Sequence, residues 1–307
     1  MTGMERITTC ILSYNRKDDL RRTLEAVRAI EGLRVIVIDN ASTDGTREML
    51  EDEPKGSSSK IAITAILLEE NRGIAARNIF FETVETEFLL TLDDDSWPRS
   101  AEDVLRMLRT MESDPRVASV CASCVHPDTG VAETAGIERF ASGGSDDTGY
   151  NVVNIAAGGS LLRMEALRET SGYGEEFFWG REENDLAFQL LQRGWRVVYD
   201  PRAVIWHTLS PAGRQVYRRL RYVTRNSFWL LWKYFPLAAA LPVSLLFVLR
   251  RILPILKDPR RAGPVLRGIA AGYAGMSARR RPSPGHRRFT LRETWSLRGW
   301  FFKLLYE

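Results

Sequence analysis

Three consecutive carboxylates, Asp93–Asp94–Asp95, close the apolar run Phe88–Leu92 and precede Ser96–Trp97–Pro98. The run reads as a buried strand that Ser–Trp–Pro stops. Acids at the C-terminal end of a strand in an open α/β sheet stand where such sheets bind ligands. Like charges this close repel, so a positive partner is required, and a hard divalent cation with a diphosphate fits best. A second acidic group, Glu182–Glu183–Asn184–Asp185, follows the aromatic patch Phe177–Phe178–Trp179. Paired carboxylates at a helix start are chemically suggestive, although the helix dipole alone favours negative charge there. His207 ends Val204–Ile205–Trp206–His207, one of three histidines in the chain.

Alternating elements position these groups. Strands are expected at Ile7–Leu12, Arg34–Ile38, Ile61–Leu68, Phe88–Leu92, Val117–Cys121 and Trp195–Tyr199. Helices are expected over Lys17–Ala29, from Thr43 to Glu51, from Gly73 to about Val84, and over Ala101–Glu112 and Glu183–Arg193. Leu20, Leu24 and Val27 share one face of the first helix. Such alternation implies a mostly parallel sheet with helices on both faces, in a first domain of residues 1–211. His126–Gly149, rich in Gly and Asp, reads as loops and short hairpins. The Cys121–Cys124 pair has no second pair to complete a four-ligand zinc site. Cys10, Cys121 and Cys124 therefore read as buried, reduced thiols, in keeping with the cytosol. No secretory leader is legible before the first strand.

Charge divides the chain. Residues 212–307 carry 20 Lys+Arg against 3 Asp+Glu, a net of +17; the first 211 residues hold 23 and 36, a net of −13. A basic tail suits a polyanionic surface. The tail also contains Ser227–Leu249, whose only charge is Lys233. Nucleic-acid binding has no use for such a stretch, whereas an anionic membrane does, so nucleic acid is set aside. The 16 uncharged residues Tyr234–Leu249 make a helix of about 24 Å, short of the roughly 30 Å hydrocarbon core. Spanning requires Ser227–Lys233 as well, with Lys233 snorkelling, and Pro236 and Pro242 would kink the helix. Monotopic attachment to the cytoplasmic face is thus preferred over a span. Phe289–Tyr306 suits an in-plane interfacial helix.

Four segments lie in order at strand ends: Ser13–Tyr14–Asn15–Arg16, Val37–Thr46 with Asp39, Asn71–Asn78 with Arg77, and Leu92–Asp95. Tyr14 can present a flat ring to a nucleobase, and Asp39 can accept from the imino N–H of a uracil or thymine. Arg77 can face the nucleotide or pair with the acidic triplet. Together the segments resemble the family 2 glycosyltransferases with the GT-A fold, over about residues 7–210. The Asp39–Asn–Ala–Ser–Thr–Asp–Gly45 form is similar to the rhamnosyl- and galactofuranosyltransferase branch.

The resemblance implies a donor-nucleotide site at Ser13, Tyr14, Asn15, Asp39, Asn71, Arg77, Asp93 and Asp94. It implies a divalent cation, Mn²⁺ or Mg²⁺, at Asp93, Asp95 and His207, and a general base at Glu183 or Glu182. Trp179, Gly158, Gly159 and Glu182 become candidate acceptor contacts. The reaction implied is inverting transfer from a UDP- or dTDP-linked sugar to a hydroxyl of a glycan or polyprenyl-linked acceptor in envelope synthesis. Soluble metabolite or protein acceptors remain alternatives, as does a membrane-tethered nucleotide-sugar sensor without activity. A sugar nucleotidyltransferase would carry a Gly-rich phosphate loop where this chain has Ser13–Asp18. The sequence leaves the oligomeric state open, including a homo-oligomer.

Overall fold

The computed structural model describes residues 3–52, 63–133, 143–145, 148–209, 216–276, 287–297, 299 and 301. Within these, β1 (Ile7–Ser13) is buried along its whole length, as a strand covered by helices on both faces must be. It pairs in parallel with β2 (Arg34–Asp39) on one side and β4 (Phe88–Asp93) on the other; β3 (Ile63–Leu67) adds outside β2. The chain thus builds outward through β2 and β3, then returns to the opposite edge of β1. That reversal opens a crevice at the carboxyl ends of β1 and β4, where Leu12 registers with Asp93.

Beyond β4 the sheet is mixed. β9 (Ser160–Arg163) runs antiparallel between β4 and β6 (Val117–Val125), and β10 (Arg196–His207) pairs in parallel with β6. β7 (Gly144–Ser145) and β8 (Gly149–Asn151) finish the edge, in the order β3-β2-β1-β4-β9-β6-β10-β8-β7. Ser96–Trp97–Pro98 does more than stop β4. It forms a short strand, β5 (Ser96–Pro98), antiparallel to β10, with Ser96 opposite His207. The segments Trp195–Tyr199 and Val204–His207, read separately in the sequence, are one strand with a register shift between Asp200 and Val204.

One face of the sheet is covered by α1 (Lys17–Arg28), α2 (Thr46–Glu51) and α4 (Ala101–Ser113). Leu20, Leu24, Val27, Leu50, Val104, Met107 and Met111 are buried there against β1 and β4. α3 (Asn78–Thr83), α5 (Met164–Arg168) and α6 (Glu182–Gln192) cover the other, through Phe80, Leu167, Leu186 and Leu190. The helix expected from Gly73 begins as a 3₁₀ segment, Gly73–Arg77, before α3. All three cysteines are buried and in no disulfide, and burial pushes the Cys10 and Cys124 thiols up.

The tail is built differently from the expectation of one continuous apolar stretch. α7 (Val216–Tyr234) packs Phe228, Leu230, Leu231 and Tyr234 into a core that also contains Phe177 and Phe188 of the first unit. Lys233 does not reach for solvent: its Nζ lies 2.7 Å from Asp185 Oδ1, which also accepts from Tyr234 Oη at 2.9 Å. α9 (Ala262–Ala274) lies against α7 because Gly268 and Gly272 leave room; a Cβ on either would come within 2.8 Å of Arg221 O or Phe228 Cδ2. α8 (Leu237–Ile252) is the exposed element. Leu237–Leu256 is long and apolar enough to cross a membrane, and most of it is exposed. Ala240, Ser244 and Phe247 face inward, while Leu241, Leu245, Leu249 and Leu256 are exposed. α10 (Leu291–Ser296), closed by a Thr290–Glu293 capping box, covers part of Phe289–Tyr306; residues 298, 300 and 302–307 lie outside the described chain. Its Leu291 and Trp295 are exposed, while Phe289 and Leu297 pack inward.

The Lys233–Asp185 pair predicts a specific cost. Lys233→Met strands a buried carboxylate and is expected to lower stability by about 3–5 kcal/mol in denaturant titration. An unchanged midpoint would mean that Tyr234 and Gln189, whose Nε2 donates to Asp185 Oδ2 at 2.9 Å, satisfy Asp185 without it.

Candidate active site

The site grows from the crevice between β1 and β4. Asp94 is spent on the first loop: it accepts from Ser13 Oγ at 3.0 Å and Tyr14 N at 3.3 Å, and pairs with Arg16 at 3.1 Å. Arg16 Nη1 also lies 3.0 Å from Asp95 Oδ2. Burial, then repulsion from Asp95 and Asp93, pushes Asp94 up to about 7 against the opposing charge of Arg16. The positive charge demanded by the triplet is therefore partly the protein's own. Arg77 supplies more, with Nη2 2.6 Å from Asp93 Oδ1 and 3.2 Å from Leu92 O. Its Nη1 donates to Ala157 O at 3.1 Å and to Thr91 Oγ1. At 1% exposure it has no surface role.

β5 brings His207 to the triplet. His207 Nε2 lies 3.0 Å from Asp95 Oδ1, and Nδ1 lies 2.8 Å from Glu133 Oε1. Burial opposes the charged imidazole, but the bonds to Asp95 and Glu133 prevail and push His207 up to about 10. One ligand atom each from Asp93, Asp95 and His207 lies within 4.8 Å of the others. Two carboxylates and an imidazole at this spacing suit a hard-to-borderline divalent cation, so the residues fit the expected metal.

The first loops are tied by their own asparagines. Asn15 (φ 54°) accepts from Thr43 N at 2.7 Å. Asn71 accepts from Gly73 N at 2.8 Å and from Asn40 at 3.2 Å. Asp39, fully buried, accepts from Ser42 N, with Arg47 Nε at 3.9 Å. Tyr14 is 45% exposed, free to present its ring. Of the glycines, Gly158 makes room for Asp93, since a Cβ would meet Oδ2 at 2.9 Å. Gly159 makes room for Ile205 and Cys124 rather than for an acceptor.

The second acidic group begins α6. The approach to it is contorted: Phe178 (φ 60°, ψ −51°) centres a γ-turn closed by Trp179 N to Phe177 O at 2.7 Å, and Gly180 and Arg181 follow at positive φ. Glu182 is buried, and its Oε2 has no hydrogen-bond partner among the described residues. Glu183 is half-buried. Burial holds both carboxyls above their usual range; Glu183 raises Glu182 further, Asp93 raises Glu183, and Arg77 opposes both. Asp93 and Glu183 thus stand near enough to interact, and Arg77, bound to Asp93, acts on both groups.

Several of these residues were not singled out from sequence. Asn226 of α7 donates to three carbonyls, Phe177 at 3.0 Å, Trp179 at 3.2 Å and Gly180 at 2.6 Å. Arg225 donates to Glu176 O and Phe177 O. Neither carried a signal, because each lies in a tail remote in sequence from the acids. Arg16 stood inside a motif without a role, and Glu133 stood in a stretch read as loop.

A model of glycosyl transferase family 2 matches residues 8–171, more than half of the chain. The chain belongs to that family. Among curated relatives, a pre-mycofactocin glycosyltransferase of Mycobacterium tuberculosis is 29% identical over 66% of this chain and 42% of its own length. The O-antigen chain rhamnosyltransferase of Salmonella typhimurium is 24% identical over 70% of each. The chain thus spans less than half of the mycobacterial relative. Among solved structures, a mannosyltransferase of Pyrobaculum calidifontis with GDP-Man and Mn²⁺ aligns over 98% of this chain and 86% of its own, at 17% identity and TM-score 0.56. GalNAc-T7 with UDP, GalNAc and Mn²⁺ aligns over 80% of this chain and 50% of its own, at 15% identity and TM-score 0.59. These establish a GT-A-like fold.

The loop before α6 yields a test. Asn226→Asp keeps the shape but removes the donor, so turnover is expected to fall at least about tenfold. Nucleotide affinity, expected from loops on other elements, should stay within about twofold when UDP is titrated by calorimetry. Full turnover would show that residues 176–181 hold their shape unaided.

Proposed function

We propose that this family member is an inverting, metal-dependent glycosyltransferase taking a nucleoside-diphosphate sugar, UDP- or dTDP-linked, as donor. The observation that carries this is the Asp93, Asp95 and His207 ligand group, with Arg77, bound to Asp93, and Asp93 itself both close enough to act on Glu183. Inversion requires a base on the face of the sugar opposite the leaving group, a role for which the α6 glutamates are the candidates on this reading. Tyr14, Asp39 and Arg77 take the nucleotide end of the donor; Ser13, Asn15, Asn71 and Asp94 hold the loops around it. Asp93, Asp95 and His207 would hold Mn²⁺ or Mg²⁺, which when bound neutralises charge developing on the leaving diphosphate.

Glu183 takes the acceptor hydroxyl's proton as the oxygen attacks the anomeric carbon and the bond to the diphosphate breaks. Of the two glutamates it is the half-buried one, whereas Glu182 is enclosed. Glu182, whose carboxyl burial and the Glu183 charge push well above the usual range, lines the acceptor side behind Glu183. Trp179, half-buried at the cleft, offers a ring to the acceptor sugar. Glu133 fixes the His207 ring by accepting from Nδ1, leaving Nε2 for the cation. The exposed leucines of α8 and the basic tail support a position on the cytoplasmic membrane face, in keeping with a glycan or polyprenyl-linked acceptor in envelope synthesis.

Three outcomes are expected. Glu183→Gln abolishes transfer while leaving donor binding intact; retained turnover removes Glu183 from the mechanism. A base must be deprotonated, and Glu183 titrates above the usual glutamate range. The acidic limb of the kcat/KM profile therefore lies above about pH 4.5. Glu133→Gln weakens Mn²⁺ binding about 10- to 100-fold by calorimetry; unchanged affinity would leave His207 oriented by other groups.

A further inference from the structure

Resting on the transferase reading, we infer that the acceptor carries a phosphate or diphosphate group beside its attacking hydroxyl, and that Arg218 and Arg219 of α7 receive it. The geometry begins with the face that α7 turns to the loop before the catalytic glutamates. Val223 Cγ2 sits 2.8 Å from where a Cβ on Gly180 would be, and one turn later Ser227 Oγ accepts from Arg181 Nε at 3.2 Å. Residues four apart share a helix face, so Arg219 lies one turn before Val223 on that same face. Arg219 therefore lies on the side of α7 that faces the loop before α6.

Electrostatics agree with this placement: Arg219 opposes the upward shift of both Glu182 and Glu183. Arg218 stands on the aromatic rim of the same loop, its guanidinium 5.5 Å from the Phe178 ring centroid and 5.9 Å from that of Tyr222. Phe178 and Tyr222 are themselves 5.5 Å apart.

These arginines differ from their neighbours. Arg225 is committed to the carbonyls of Glu176 and Phe177, and Arg181 to Ser227. Arg218 and Arg219 are exposed and form no ion pair with another described residue. No acid stands in the first turn of α7. Two guanidinium groups beside catalytic glutamates oppose neutral-sugar chemistry only weakly, but they match phosphate oxygens, which accept from the guanidinium fork bidentately. Arg16 and Arg77, by contrast, are paired with the acids at the end of β4. The next helix, α8, presents the exposed Leu241–Leu245–Leu249 row, which suits a phosphate borne on a lipid.

The test uses the full chain with Mn²⁺ and UDP. Decyl phosphate, decyl glucoside and glucose 1-phosphate are titrated below micelle formation against wild type, R218Q/R219Q and R260Q. Arg260 is an exposed arginine outside the cleft. Wild type and R260Q should bind decyl phosphate at least about tenfold more tightly than decyl glucoside. R218Q/R219Q should lose that preference while keeping its UDP affinity. Equal binding of glucose 1-phosphate would assign the phosphate to a soluble acceptor; binding of decyl phosphate alone would assign it to a lipid. A preference that survives in R218Q/R219Q, or its absence from a wild type that binds UDP normally, overturns the inference. Failure of wild type to bind UDP with Mn²⁺ would instead overturn the transferase reading.

Discussion

Buried negative charge at the end of β4 is the constraint around which the molecule is arranged. Three adjacent carboxylates there would repel one another prohibitively unless cations were held against them. The chain brings those cations from three places: Arg16 from the loop after β1, Arg77 from the turn before α3, and His207 from the end of β10. Each arrives through a different strand connection. The order β2-β1-β4 and the β5–β10 pairing are therefore requirements of the site as much as of the core.

The same logic explains why Asp94 and Asp95 are nearly inaccessible while Asp93 keeps about a third of its side chain open. Asp94 belongs to the scaffold, through Ser13 and Tyr14. Asp93 packs against Gly158, where a Cβ would crowd its carboxylate. Arg77 reaches from Asp93 into the field of Glu182 and Glu183, so one buried guanidinium balances both acidic groups.

The opposite wall depends on the tail. Strained backbone at Phe178 and Arg181 would relax without an outside hold, and α7 provides one through Asn226 and Arg225. Below them, Asp185 clasps Lys233 and Tyr234. α7 therefore has two duties: it completes the cleft, and it carries the base of the exposed α8.

Periodicity and strand-end motifs made the α/β alternation, the acidic triplet, Asp39, Arg77 and the α6 glutamates legible, because each depends on local pattern. His207 could be proposed, yet its neighbours could not. Glu133 and Asn226 act through partners 74 and 46–49 residues away, and such contacts leave no trace in local composition. The sequence by itself determined which residues could carry charge to the ends of the strands, and that the tail was both basic and apolar. Only the tertiary structure decided that Lys233 would neutralise Asp185 rather than seek water, dividing an apparently continuous apolar stretch into a core helix and an exposed one. The physical reason is that a hydrophobic run reports a need for burial, while its partner, protein or lipid, is chosen by polar contacts that long-range folding brings together.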